Sequence, residues 1–191
     1  MTGLHADARA ILAAWEAPDA AQQALCRSFV EFLDSTPDAM LRSFAPDHLT
    51  GSALIVRRDA ERGDRVLLVF HSKAGKWLQT GGHCEASDAV LSAAALREAR
   101  EESGLEGLTV DPVPLRLSRH HVPFCGSPPG GGHHLDVQFL VQAPATGDVV
   151  IAEGEDQARW FPLDPAAAPE PTDQDVRDLI AAASSRLRGT P

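Results

Sequence analysis

No stretch of this chain holds the 18 or more consecutive apolar residues that a membrane-spanning helix requires, so no segment is expected to cross a bilayer. The N-terminus, MTGLHADARAILAAWEAPDA, has no basic start followed by a long apolar run, so no secretory leader is expected either. Cysteine is scarce. Cys26, Cys84 and Cys125 are odd in number and far apart, which argues against a disulfide framework and for a reducing, cytoplasmic setting. Positive charge is in deficit: 17 Lys and Arg stand against 27 Asp and Glu, a net charge of −10. That balance argues against a surface that tracks nucleic-acid phosphates. An acidic protein acting on a polyanion needs a cation to mediate. Internal repeats and long charged tracts are also missing, and 191 residues suffice for one sizeable core.

What the chain does have is concentrated in residues 82–105, GHCEASDAVLSAAALREAREESGL. A run of Ala and Leu leads into Arg97-Glu98-Ala99-Arg100-Glu101-Glu102-Ser103-Gly104-Leu105, so a helix is expected from near Asp88 to Gly104. Gly104 suits the left-handed position just after a helix, with Leu105 folding back onto the last turn. On that helix Glu98, Glu101 and Glu102 fall within about 100° of arc. Three carboxylates so placed repel one another by a few tenths of a kcal/mol per pair. Leu91 and Ala95 continue the same arc, so it is not plainly the water side. A divalent cation among the acids resolves the repulsion, and oxygen-only ligation points to Mg²⁺ or Mn²⁺ over zinc.

The segment resembles the signature of the Nudix (MutT-like) hydrolases, G-x(5)-E-x(7)-R-E-U-x-E-E-x-G-U, with U a bulky aliphatic residue. Gly82 matches the opening glycine; Arg97, Glu98, Glu101, Glu102, Gly104 and Leu105 match the second half. Asp88 stands where the first Glu would be, eight residues rather than seven separate it from Arg97, and Ala99 is small for its position. Thr80 precedes the glycine pair, where family members often have proline. The resemblance implies an α/β/α sandwich with a mixed sheet. It also implies a metal site on Glu98, Glu101, Glu102 and the Gly82 carbonyl, with Arg97 orienting a carboxylate. The expected reaction is hydrolysis of a nucleoside diphosphate linked to another group, X.

Ahead of that domain lies an N-terminal helical extension, residues 1–45; the Nudix domain is expected over 46–191. Leu4, Ala8, Ile11, Leu12 and Trp15 have helical spacing. Asp19 and Gln22 resemble a capping pair ahead of Leu25, Phe29, Phe32 and Leu33, and that helix should stop before Pro37. These helices either pack on the domain or serve as a homodimer contact or a lid. From His48 onward the chain is rich in Val, Leu and Ile, and strands are expected at 48–58, 64–72, 77–82, 115–122 and 133–143, with a final helix at 172–187.

Individual residues carry two readings each. Asp88 is either an outer metal ligand or an acid at the helix start. Trp77 and Lys73, upstream of the glycines, either contact a base or phosphate or, for Trp77, fill the core. His120, His121, His133 and His134 form two adjacent pairs that match no zinc pattern, because strand neighbours point to opposite faces. One member of each pair, His134 among them, is left as a substrate contact. Cys84 has no identifiable base and is expected to be an inert thiol. Glu155, on the polar stretch before Trp160, competes with Glu98 as the general base. A non-catalytic nucleotide-binding Nudix domain is the alternative class. Isopentenyl-diphosphate isomerase chemistry uses Cys and Glu motifs that this chain lacks.

Overall fold

In a computed structural model, residues 3–123, 125, 131–150 and 157–189 are described. Helices α1 (Gly3–Ala14) and α2 (Ala20–Ser35) come first. Asp19 caps α2, accepting a hydrogen bond from the Gln22 backbone at 2.8 Å, as the capping pair predicts. Strands β1 (His48–Arg57), β2 (Arg65–His71), β3 (Lys76–Leu78) and β4 (Thr80–His83) lead into α3 (Leu91–Ser103). Then come β5 (Thr109–Val110), β6 (Arg116–Val122), β7 (Gly132–Ala143), β8 (Gln157–Pro162) and α4 (Gln174–Gly189).

The eight strands form one mixed sheet with β1 at its centre. On one side β1 runs parallel to β7 along its whole length, from His48 opposite His134 to Arg57 opposite Ala143. On the other side it forks. Its first half pairs with β4, from Thr50 opposite His83 to Ala53 opposite Thr80, and its end pairs with β2. Alternation along β1 then sorts the core into two layers. Leu49, Ala53 and Ile55 join α1, α2 and α3 in one apolar cluster. Leu54 and Val56 join α4 in the other.

The N-terminal helices are built into the first layer. Leu12, Phe29 and Leu33 are essentially fully buried within the cluster that holds Leu49 and Leu91, worth roughly 1.5–3 kcal/mol each in apolar burial. The Gln22 amide accepts from the Leu117 backbone N–H at 2.8 Å and donates to its carbonyl at 3.0 Å, which closes the open edge of β6. Asp7 of α1 accepts the Leu91 N–H at 2.8 Å, so the first helix caps the start of α3. The core therefore has no break at residue 46. Among the described residues, no helix is long and apolar enough to cross a membrane. All three cysteines are free and buried.

Candidate active site

Strand β4 is built to lie against α3. A side chain at Gly82 would put its Cβ 2.5 Å from Glu98 Oε1, and one at Gly81 would come within 2.4 Å of Ser52 Cβ. Gly81 also sits at φ 158°, and only glycine meets both demands without strain. Thr80, fully buried, anchors the strand by donating its hydroxyl to the Ala53 carbonyl at 2.9 Å. Helix α3 begins at Leu91, three residues later than the sequence predicts, and ends at Gly104 with φ 64° in the left-handed region. The late start explains how the extra residue and the shorter Asp88 are tolerated: both fall in the turn before the helix.

Arg97 organises the acids. Its guanidinium makes a two-pronged pair with Asp88, both contacts at 3.2 Å, and donates to Glu98 Oε1 at 2.8 Å and Glu101 Oε2 at 3.0 Å. It also donates to the His83 carbonyl at 2.9 Å, fastening α3 to β4. Burial works against the Arg97 charge, but its bonds to Asp88 and Glu98 hold it firmly protonated. Asp88 is nearly buried and accepts from the Glu85 N–H at 2.8 Å, so it serves as the partner of Arg97, while Val90 takes the helix cap position.

Glu98 is mostly buried between Gly82 and Arg97, and burial raises its pKa above the ordinary carboxylate range, with Arg97 opposing the shift. Glu101 is exposed, and Glu102 accepts from the Gly81 N–H at 3.4 Å. The structure thus brings Gly82, Arg97, Glu98, Glu101 and Glu102 together. Around one guanidinium stand Glu85, Asp88, Glu98 and Glu101, with Glu102 beside them, and this surplus of oxygen donors fits a hard divalent cation.

Other expected residues lie elsewhere. Trp77 is a core residue: its ring packs edge-on between Phe70 and Phe161 in the α4 layer, on the opposite face of the sheet from Glu98. Of the two readings open for Trp77, its packing is that of the core. Lys73 sits exposed in the turn between β2 and β3. Glu155 lies outside the described residues. Cys84 is buried, and burial followed by the Asp88 charge pushes its thiol up to about 12, which suits an inert role.

His134 is half-buried, on the face of the sheet turned away from the acids. Across the sheet it neighbours His48 of β1 and His83 of β4, with ring centroids 5.0 Å and 4.9 Å from it. Burial lowers the pKa of His134 to about 3 and of His83 to about 4, so both are neutral. Its chain neighbour His133 turns the other way, toward Asp47 at 3.1 Å, as strand alternation requires. On the same face as His134, Asp136 is fully buried and accepts from Thr50 at 3.0 Å, Ser52 at 2.6 Å and Gln138 at 3.3 Å. Burial nevertheless raises its pKa. Sequence reasoning missed His48, His83, Cys125 and Asp136, since their convergence depends on the pairing of β1 with both β4 and β7.

The family model for the NUDIX domain matches residues 48–183. The chain belongs to the Nudix family. With Arg97, Glu98, Glu101 and Glu102 all present and gathered at β4, it is a Nudix pyrophosphohydrolase by kind. A search of curated proteins returned no match. Among solved structures, a NUDIX-family hydrolase from Clostridium perfringens is 25% identical, covers 73% of this chain and 97% of its own, and superposes with a TM-score of 0.58. A C. elegans Ap4A hydrolase is 20% identical over 74% of this chain and 98% of its own, with a TM-score of 0.58. The NUDIX domain of Shewanella oneidensis NrtR, solved with ADP ribose, is 23% identical over 82% and 97%, with a TM-score of 0.54. The Nudix family match begins at His48, so α1 and α2 lie outside it although their side chains complete its core.

Proposed function

We propose that the protein hydrolyses a phosphoanhydride bond in a nucleoside diphosphate linked to another group, in a reaction that depends on Mg²⁺ or Mn²⁺. The observation that carries this is the gathering of three acids at one place, with Glu98 against Gly82, Glu102 at the Gly81 N–H, and Arg97 fixing Glu98 and Glu101. Glu98, Glu101, Glu102 and the Gly82 carbonyl are the residues that would hold the cation. Bound there, it would neutralise phosphate charge and lower the pKa of a water molecule.

The chain's own residues supply the rest. Arg97 keeps the Glu98 carboxylate in one orientation, so no reorganisation is needed when negative charge arrives. The burial that raises the Glu98 pKa makes it a better proton acceptor than an exposed glutamate. Glu98 is therefore the favoured base, with Glu155 as its competitor. Asp88 withdraws from direct chemistry and holds Arg97. Ap4A, the substrate in the name of one structural neighbour, and ADP ribose, bound by another, both contain phosphoanhydride bonds to a nucleoside and mark where to begin.

The test is a substrate screen in Mg²⁺ covering nucleoside triphosphates, nucleotide sugars, ADP-ribose and dinucleoside polyphosphates. Turnover of at least one, abolished by chelation, is the expected result. Activity that survives exhaustive chelation would overturn the metal dependence. Tight binding with no turnover across the panel would favour the alternative, a Nudix domain that binds a nucleotide without cleaving it.

A further inference from the structure

Behind strand β4, on the face turned away from Glu98, three imidazoles and a thiol converge. His48 of β1, His83 of β4, His134 of β7 and Cys125 in the turn after β6 each offer one ligand atom, and the four atoms lie within 4.8 Å of one another. We propose that these four residues form a closed, structural zinc site that ties the turn after β6 to strands β1, β4 and β7.

The sheet register creates the cluster. His48 stands directly opposite His134, and His83 stands opposite Thr50, one alternation further along β1, so all three rings project from the same face. Their donor atoms are prepared for a metal. His48 Nδ1 donates to the Phe44 carbonyl at 3.0 Å, which leaves the lone pair on Nε2, 3.6 Å from Cys125 Sγ. A metal-bound imidazole characteristically has its other nitrogen engaged in this way. His83 Nε2 lies 3.2 Å from the same sulfur. His134 Nε2 is buried with no hydrogen-bond partner, an arrangement that costs free energy unless something else occupies it.

Size and chemistry agree with zinc. Bond lengths of about 2.0–2.1 Å to nitrogen and 2.3 Å to sulfur give ligand-to-ligand edges of about 3.3–3.7 Å in a tetrahedron. The sulfur contacts of 3.2 Å and 3.6 Å already fall near that range, and the widest separation needs only small side-chain movement. Three nitrogens and one sulfur select zinc over Mg²⁺. Cys125 would release its proton to solvent as the ion binds, so the centre carries one net positive charge. Four protein ligands leave no open position, which marks the site as structural. It is also separate from the acid cluster: Gly82 faces Glu98, and His83 faces the other way.

The site is tested on full-length protein purified without chelator or metal-affinity resin. Elemental analysis after dialysis against millimolar Mg²⁺ should find one zinc per chain. Cys125→Ser and His134→Ala should each reduce zinc retention by at least about tenfold, whereas Glu101→Gln and Glu102→Gln should retain it. Replacing zinc by Co²⁺ in the unaltered protein should give a thiolate-to-cobalt charge-transfer absorption together with tetrahedral visible bands. That spectrum decides the matter even if a variant fails to fold. Absence of the charge-transfer band, zinc lost to Mg²⁺ dialysis, or full zinc content in Cys125→Ser would each overturn the assignment.

Discussion

Gly82 and His83 are neighbours in the chain, yet they belong to opposite kinds of chemistry. On the Gly82 side the groups are carboxylates, partly open to water and arranged around Arg97. On the His83 side they are nitrogens and sulfur, buried or half-buried, with His83 and His134 held neutral by their surroundings. Strand alternation is what separates them. One short strand therefore has oxygen donors gathered on one face and nitrogen and sulfur donors on the other. The strand is clamped just past them by Arg97, which donates to the His83 carbonyl at 2.9 Å. The lesson is that donor type, set by which face a residue takes, sorts the ligands more sharply than distance along the chain does.

The comparison breaks most decisively on the acid side. Glu101→Gln or Glu102→Gln removes a charge and keeps the shape. Each should lower Mg²⁺ affinity and reduce turnover by roughly 1000-fold, about 4 kcal/mol of lost charge stabilisation. Metal titration and single-turnover rates check it, and zinc content should stay unchanged. Full activity in Glu102→Gln would mean that the acid cluster is idle.

Gly82→Ala tests the strand itself. The added Cβ would meet the Glu98 carboxylate at 2.5–2.7 Å, so Glu98 or β4 must move. A displacement approaching 1 Å at a catalytic group costs about 100-fold in rate. The kinetic assay should show that loss in kcat with the fold intact by circular dichroism. An unaltered kcat would show that Glu98 need not rest against β4.

Much of the acid side was legible in the sequence, because helical spacing alone puts Glu98, Glu101 and Glu102 on one arc and Gly104 at its end. The glycine pair and the caps at Asp19 and Gly104 were legible for the same reason: each obeys a local rule. The histidine side was not. Zinc was set aside because adjacent histidines diverge, and they do: His133 and His134 face opposite ways. The ligands instead come from residues 48, 83, 125 and 134, joined only by long-range strand pairing that no local pattern encodes. The role of the N-terminal helices was hidden likewise, since the Asp7 contact to Leu91 joins residues 84 positions apart.

That contact gives a smaller effect. Asp7→Ala removes the acceptor for the Leu91 N–H at the start of α3, while Val90 offers no side-chain cap of its own. Losing a cap costs about 1 kcal/mol, or about 3 °C in Tm for a chain of this size. Thermal unfolding should show that decrease, and Asp7→Asn should recover most of it. No change in Tm would mean that water replaces the Asp7 carboxylate without penalty.

The finest distinction concerns the charge on Glu98 in metal-free protein. Burial first, then the Glu101 and Glu85 charges, hold its pKa above the ordinary carboxylate range, and Arg97 only partly offsets them. The folded state therefore binds this proton more tightly than the unfolded chain does. The stability so conferred is fully present below the unfolded pKa of about 4.3 and is lost as pH rises through the higher folded value. Glu98→Gln is neutral at every pH and keeps an oxygen for Arg97. In chelator its Tm should exceed that of the unaltered protein at pH 7, and the gap should close toward pH 4. Thermal scans across that interval measure it directly. A gap that instead reverses at pH 7, with the unaltered protein the more stable, would place the Arg97–Glu98 ion pair above the burial penalty and make Glu98 an ordinary charged ligand, no better a base than Glu101.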